Sequence, residues 1–299
     1  MQASGNWLFN YRKAPLFANA RSYLNNTHQN QLAVHYKILC SDLDGTLLST
    51  KSDVSDFTIA EISRIRNTTK IILVSARMPR SMTYLQRRLG IEHEPIICYN
   101  GALILNGASI VVSTVIDLKH VAQIHAMADK LGIKLGLYYK DEWYVEEDTE
   151  RVQKEIRYTK AVPSFRATSQ TLTEWKDRKV SAHKIMLMGT KETADMLYPE
   201  LMEKFSESLH LYRSNDTLIE VAPKSVSKLS AIKCLLNDGN TLNDVISFGD
   251  NYNDIEMLQY SGYGVAVDNA REEVKAIAQK ITLKNTAHGV AHFIKEHLH

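Results

Sequence analysis

The stretch Lys37-Ile38-Leu39-Cys40-Ser41-Asp42-Leu43-Asp44-Gly45-Thr46 decides the fold. Residues 37–41 read as a short buried strand that ends on two carboxylates, Asp42 and Asp44, with Gly45 in the turn behind them. Like charges this close repel, which is costly unless a cation sits between them. In isolation such a pair also fits a calcium loop or a plain turn. The buried strand before it and Thr46-Leu47-Leu48 after it favour a site at the carboxyl end of a strand, where open α/β sheets bind their ligands.

Outward from this stretch, strand and helix alternate. Ile59, Ile62 and Ile65 recur at near-helical spacing in residues 56–67, with Asp56 as the expected N-cap. Residues 70–74 form a continuous apolar, β-branched run of the kind covered on both faces. Pro79 sits just inside the next predicted helix, which runs to Leu89 and stops at Gly90. A buried strand follows at 96–99, and the apolar runs 103–105 and 110–112 flank Asn106-Gly107, a hairpin signal. The last third repeats the grammar, with helices predicted at 227–237, 253–259 and 289–297 and strands at 245–248 and 264–267. This alternation implies an α/β fold, a parallel sheet with helices on both faces.

Residues 118–218 differ. They carry their own helix and strand periodicity but no carboxylate-rich strand ends, and read as an inserted α+β domain. The expected organisation is therefore an extension over 1–35, a core made of 36–117 and 219–299, and the insertion 118–218 between them. Tyr138, Tyr139, Trp143 and Tyr144 could stack on a sugar or ring, but aromatic residues in strand-rich regions more often pack, and a packing role in the insertion is the favoured reading.

Bulk properties narrow the function classes. The chain has 299 residues, 44% apolar and 23% charged, with a formal charge of +2, so nothing global points to nucleic acid or an anionic membrane. No apolar stretch approaches the roughly 20 residues of a membrane helix. Cys40, Cys98 and Cys234 fit neither a metal knuckle nor a redox pair, and a reducing, cytoplasmic setting is expected. The first 41 residues hold no Asp or Glu but include Arg12, Lys13 and Arg21, a composition shared with organelle transit peptides; a loosely docked extension is the favoured reading.

Three further segments carry chemistry. Ser75-Ala76-Arg77 follows the 70–74 strand, where a hydroxyl can donate to a phosphate oxygen, although serine also caps helices for structural reasons alone. Lys228 opens the 227–237 helix; most lysines are solvated, but a compact ammonium is also what offsets phosphate and carboxylate charge. Gly249-Asp250-Asn251-Tyr252-Asn253-Asp254 follows the 245–248 strand and again places oxygen donors at a strand end. With no His or Cys among the candidates, a hard cation is favoured, Mg²⁺ ahead of Zn²⁺.

In this order the four segments resemble the motifs of the haloacid dehalogenase-like (HAD) superfamily, and more closely its Cof-type sugar-phosphate phosphatases. Tyr99-Asn100-Gly101-Ala102, Ile219-Glu220-Val221-Ala222-Pro223, Asp268-Asn269-Ala270 and Gly289-Val290-Ala291 extend the likeness over about 36–299. Ser75-Ala76-Arg77 stands where the family usually has Thr-Gly-Arg, and Leu229 where it usually has Gly. The resemblance implies a Rossmann-like core whose insertion is a cap over the site. It implies Mg²⁺ held by Asp42, Asp250 and the backbone carbonyl of Asp44, with Asp42 as nucleophile and Asp44 as general acid and base. Ser75, Lys228 and Asn253 would hold the phosphoryl oxygens, Asn100 and Gly101 would line the pocket, and Asp254 would steer Lys228 or the metal's water from behind. The expected activity is hydrolysis of small phosphorylated metabolites through an aspartyl-phosphate, sugar phosphates first and pyridoxal phosphate or a flavin precursor after them. The competing readings are a phosphomutase of the same superfamily and a non-catalytic metabolite-binding protein. The expected partner is the metabolite alone, with no nucleic acid or membrane, in a monomer or small homo-oligomer.

Overall fold

A computed structural model describes residues 36–50, 52–236 and 239–298; the expected extension over 1–35 lies outside them. The chain runs β1 (Ile38–Asp42), α1 (Asp56–Ile65), β2 (Lys70–Val74), α2 (Arg80–Leu89), β3 (Ile96–Cys98), β4 (Leu103–Asn106) and β5 (Ser109–Ser113). It continues through α3 (Leu118–Asp129), β6 (Lys134–Tyr139), β7 (Glu142–Val145), α4 (Glu150–Thr159), β8 (Ser164–Phe165), α5 (Thr168–Arg178), β9 (Lys184–Met188), α6 (Lys191–Phe205), β10 (Leu209–Asn215) and β11 (Leu218–Pro223). The last elements are α7 (Lys228–Leu235), β12 (Val245–Gly249), α8 (Ile255–Tyr260), β13 (Tyr263–Val267), α9 (Glu272–Ile277), β14 (Lys280–Thr282) and α10 (Gly289–His297).

These strands form two sheets. The first is eight-stranded in the order β14-β13-β12-β1-β2-β3-β4-β5. It is parallel from β14 to β3, and β4 and β5 close it as an antiparallel hairpin at Asn106-Gly107. β1 is buried along its whole length, and its residues alternate between two apolar layers. Leu39 faces the side covered by α1, α2 and α10, while Ile38 and Cys40 face Ala231, Ile232 and Met257 of α7 and α8. A strand covered on both faces has no use for alternating polar residues, which is why β1 and β2 read as unbroken apolar runs.

The α/β expectation is borne out, with local corrections. The N-cap of α1 is Ser55, whose hydroxyl accepts a hydrogen bond from Thr58 N at 3.1 Å; Asp56 is already in the first turn. α2 does end at Gly90, where φ is +65°. The short elements β8, α9 and β14 carry too little periodicity to be read from sequence, and the eleven-residue α5 was not expected either.

The second sheet has the order β10-β11-β9-β6-β7-β8. One face carries Leu135, Leu137, Ile185, Leu187, Ile219 and Val221 beneath α3, α5 and α6, and the other buries Tyr138, Trp143, Val145 and Met186 in a cluster with Val152 of α4. The return to the first sheet was expected at residue 219, and the strand pairing corrects this. β11 lies between β10 and β9, antiparallel to both, so Leu218–Pro223 belongs to the second sheet. Tyr138 stacks on Trp143 at 5.4 Å, and Tyr139 and Tyr144 pack edge-on against Trp175. Among the described residues no helix is long and apolar enough to cross a membrane.

Candidate active site

Parallel pairing brings the carboxyl ends of β1, β2 and β12 side by side, with Asp42 opposite Val74 and Ser41 opposite Phe248. Asp42, Ser75 and Asp250 therefore leave the sheet at one edge. Lys228 arrives from a different direction. Ser227 caps α7 by exchanging hydrogen bonds with Ser230, which puts Lys228 in the first turn, buried beneath that edge. Its ammonium donates to Asp42 Oδ1 and to Asp254 Oδ1, both at 2.6 Å.

Asp42, Asp250 and Asp254 each bring a carboxylate oxygen within 4.8 Å of the other two. One lysine cannot balance three clustered carboxylates, two of them buried. Burial pulls the Lys228 ammonium down, but Asp254 and Asp42 outweigh it and hold it charged. Burial pushes Asp42 well above the usual carboxylate range, with Asp254 and Asp250 adding to the effect against Lys228. Asp250 is pushed up to about 6, by burial first and the charge of Asp254 next. The donors are all oxygen and the cluster is short of positive charge, which is the chemistry a hard divalent cation satisfies.

The three carboxylates are not equivalent. Asp254 has both oxygens engaged, Oδ1 with Lys228 and Oδ2 accepting from the backbone N–H of Asp250 and of Asn251 at 3.0 Å each. It pins the loop after β12 and orients Lys228, which leaves Asp42 and Asp250 as the residues fitted to hold an ion. Thr46 Oγ1 donates to Asp250 Oδ1 at 2.9 Å. Gly45, at φ +87°, lies so close that a Cβ there would stand 2.5 Å from Asp250 Oδ2.

Asp44 is outside this cluster. Its side chain is half exposed and turns to Arg77, which donates from Nε and Nη2 at 2.7 Å each. Ser75 Oγ accepts from Arg77 N at 3.2 Å and keeps its own proton to donate. The turn that carries Asp44 is braced from the far side of β13: Asn269 Nδ2 donates to Gly45 O, and Asn285 Nδ2 to Leu48 O, both at 2.8 Å.

Asn253 Nδ2 donates to Asn100 Oδ1 at 3.0 Å, joining the loops after β12 and β3. Gly101 lets the loop after β3 pack against the start of α7: its φ is +106°, and a Cβ would stand 2.5 Å from Ser227 O. A small cleft opens here, with Asn100, Asn253 and Lys228 on one side and His210, Tyr212 and Ala222 of the second sheet on the other. Of the residues singled out in the sequence, Asp42, Asp250, Asp254 and Lys228 meet in one cluster, Lys228, Asn100 and Asn253 line the cleft, and Ser75 and Asp44 are joined through Arg77. Sequence reading gave no role to Thr46 or Asn269, which stood in its motifs, and missed Asn285 and the cleft residues of β10. Arg77 stood in a quoted motif, but nothing in its spacing names the acid it holds.

Residues 39–294 match the haloacid dehalogenase-like hydrolase family. This chain belongs to that family. The hydrolase is 32% identical over 264 residues to a candidate phosphatase of Haemophilus influenzae, covering 87% of this chain and 98% of that protein. It is 25% identical over 271 residues to the pyridoxal phosphate phosphatase YbhA of Escherichia coli, covering 88% and 98%. A crystal structure of a haloacid dehalogenase-like hydrolase from Bacteroides thetaiotaomicron superposes with a TM-score of 0.79 at 28% identity, covering 87% of this chain and 99% of that one. The resemblance read from the motifs is borne out, and with it the class of activity: the hydrolase is a phosphoric monoester hydrolase.

Proposed function

We propose that this hydrolase releases phosphate from small phosphorylated metabolites, sugar phosphates foremost, with Mg²⁺ as cofactor and Asp42 as nucleophile. The observation that carries the reading is the meeting of Asp42, Asp250 and Asp254 within 4.8 Å around the Lys228 ammonium. Mg²⁺ would be held by Asp42, Asp250 and the backbone carbonyl of Asp44. Bound there, the ion supplies positive charge between an anionic nucleophile and a dianionic phosphate, and a Lewis acid for the phosphoryl oxygens.

The chain's own residues carry the rest. Asp42 attacks phosphorus as the ester P–O bond breaks, and an aspartyl-phosphate forms. Asp44 gives its proton to the departing alkoxide, then takes one from the water that cleaves the acyl phosphate. Inorganic phosphate leaves and Asp42 is restored. Ser75, Lys228 and the Asn253 amide donate to the phosphoryl oxygens, where charge spreads during transfer. Asn100 and Gly101 border the substrate, and Asp254 keeps Lys228 in register. The second sheet acts as the cap that excludes water and meets the leaving group.

YbhA is named for pyridoxal phosphate, which supports a small phosphomonoester as the substrate here. The three free cysteines support a reducing compartment such as the cytoplasm. The test is phosphate release across a panel of phosphorylated metabolites, with Mg²⁺ and with EDTA. Release that EDTA abolishes and Mg²⁺ restores is expected; release indifferent to EDTA, or none across the panel, would overturn the reading.

A further inference from the structure

The turn between β6 and β7 of the inserted domain is two residues long, Lys140 and Asp141. Lys140 is held at φ +48°, a left-handed backbone that residues other than glycine rarely adopt. Bonds on both sides fix it there. Its N–H donates to His183 Nδ1 at 3.1 Å, and its carbonyl accepts from Tyr99 Oη at 2.7 Å. Tyr99 belongs to the loop after β3 that carries Asn100, so the turn is already fastened to the first sheet when Asp141 meets the start of α2.

α2 begins without a cap of its own, because Pro79 stands at the N-cap position and has no side-chain acceptor. Asp141 supplies the acceptor from 61 residues away: its Oδ1 accepts from the backbone N–H of Arg80 at 2.7 Å. Its Oδ2 accepts from Arg80 Nε at 3.0 Å, and its carbonyl from Arg80 Nη2 at 2.9 Å. Both side chains are about half exposed, so the ion pair itself adds little. The bond to the backbone N–H is the part a helix start needs. α2 is in turn the seat of Arg77. The guanidinium that grips Asp44 also donates from Nη1, at 3.5 Å each, to Ser81 O and to Tyr84 Oη of α2. The inserted domain touches this part of α2 a second time, where Lys160 Nζ lies 4.3 Å from the centre of the Tyr84 ring.

We infer that Asp141 is a positioning residue for the general acid: by capping α2 it holds the helix start that backs Arg77, and through Arg77 it fixes the carboxyl of Asp44. The inference rests on the phosphatase mechanism proposed above, in which Asp44 protonates the departing alkoxide. Asp141 acts through α2 and Arg77 rather than by touching substrate. Because Asp141 belongs to the inserted domain, Asp44 is aligned when that domain is seated on α2. The consequence is selective. An alkoxide cannot leave readily without a proton, whereas p-nitrophenolate can, so a misplaced Asp44 slows alkyl esters and spares the aryl ester.

The experiment compares wild type, Asp141→Ala, Asp141→Asn and Arg80→Ala by kcat/KM with Mg²⁺ present. The alkyl esters are hexose and pentose monophosphates and pyridoxal phosphate; the aryl ester is p-nitrophenyl phosphate. Asp141→Ala is expected to lower kcat/KM on the alkyl esters by roughly 5- to 20-fold, the size of a lost helix cap, and on p-nitrophenyl phosphate by no more than about twofold, which also reports an intact fold. Asp141→Asn keeps an acceptor for the Arg80 N–H, and Arg80→Ala keeps that N–H, so both should stay within about twofold of wild type on either ester. Equal losses on both ester types in Asp141→Ala, no loss on either, or the same loss in Asp141→Asn or Arg80→Ala would overturn the inference and leave the phosphatase mechanism standing. A wild type that hydrolyses no alkyl ester would overturn the role of Asp44 in that mechanism, and the inference with it.

Discussion

Arg77 holds Asp44 through two parallel hydrogen bonds of 2.7 Å, one from Nε and one from Nη2, across 33 residues of chain. The guanidinium is buried while the carboxylate is half exposed, so the fork fixes the plane of a group that stays open to solvent. Lysine keeps the charge but cannot make both bonds. Arg77→Lys should lower kcat by roughly 10- to 100-fold with KM within about threefold, read by steady-state phosphate release. An unchanged kcat would mean that the orientation of Asp44 does not matter to turnover.

Asp42→Asn should lower turnover by roughly four orders of magnitude or more, because an amide is no nucleophile toward phosphorus. The fold should survive, since Lys228 keeps its bond to Asp254 and one crowded charge is removed. Phosphate release and thermal unfolding of the same preparation check both halves.

Gly45→Ala should weaken the ion site. The residue holds φ +87°, and its Cβ would press on Asp250 Oδ2 at 2.5 Å. The strain costs about 1–3 kcal/mol of stability, and the carboxylate has to move. Titration calorimetry with Mg²⁺ should show weaker binding than wild type.

Cation affinity should fall as pH drops through about 6, where Asp250 takes up a proton. The sign for stability is the opposite in the ion-free protein. The folded-state value lies above the ordinary 3.8, so this contribution is full below that pH and is lost as pH rises through about 6. Added Mg²⁺ should therefore raise the unfolding midpoint more at pH 7.5 than at pH 5.

His183 makes an acid-side prediction. It is stacked between Tyr99 and Tyr139 at 5.5 and 5.3 Å, and its Nδ1 accepts from Lys140 N at 3.1 Å, which leaves the proton on Nε2 beside Ser113 Oγ. Burial, then the charge of Lys140, pulls it down to about 4 from 6.5. Its contribution is present above 6.5 and lost as pH falls through about 4, a loss on the order of 3 kcal/mol. A His183→Gln variant should show a shallower fall in urea midpoint between pH 7 and pH 4.

The elements legible in the sequence are those whose signal is local. β1 and β2 announce themselves by unbroken apolar runs, α2 by Pro79 and Gly90, and the β4–β5 turn by Asn106-Gly107. Ser55 was passed over as the cap of α1 because Asp56 beside it has the same capping chemistry. β11 was given to the wrong sheet because a strand's pattern does not say which neighbours it will have.

The order of residues alone determined that oxygen donors sit at the ends of β1, β2 and β12, that no soft ligand joins them, and that a lysine opens α7. Such features are written in consecutive residues and need no partner. Tertiary structure alone decided that Lys228 spans Asp42 and Asp254, and that Arg77 takes Asp44. Those contacts join residues between 26 and 186 positions apart, and they follow from strand order and layer packing rather than from any local period.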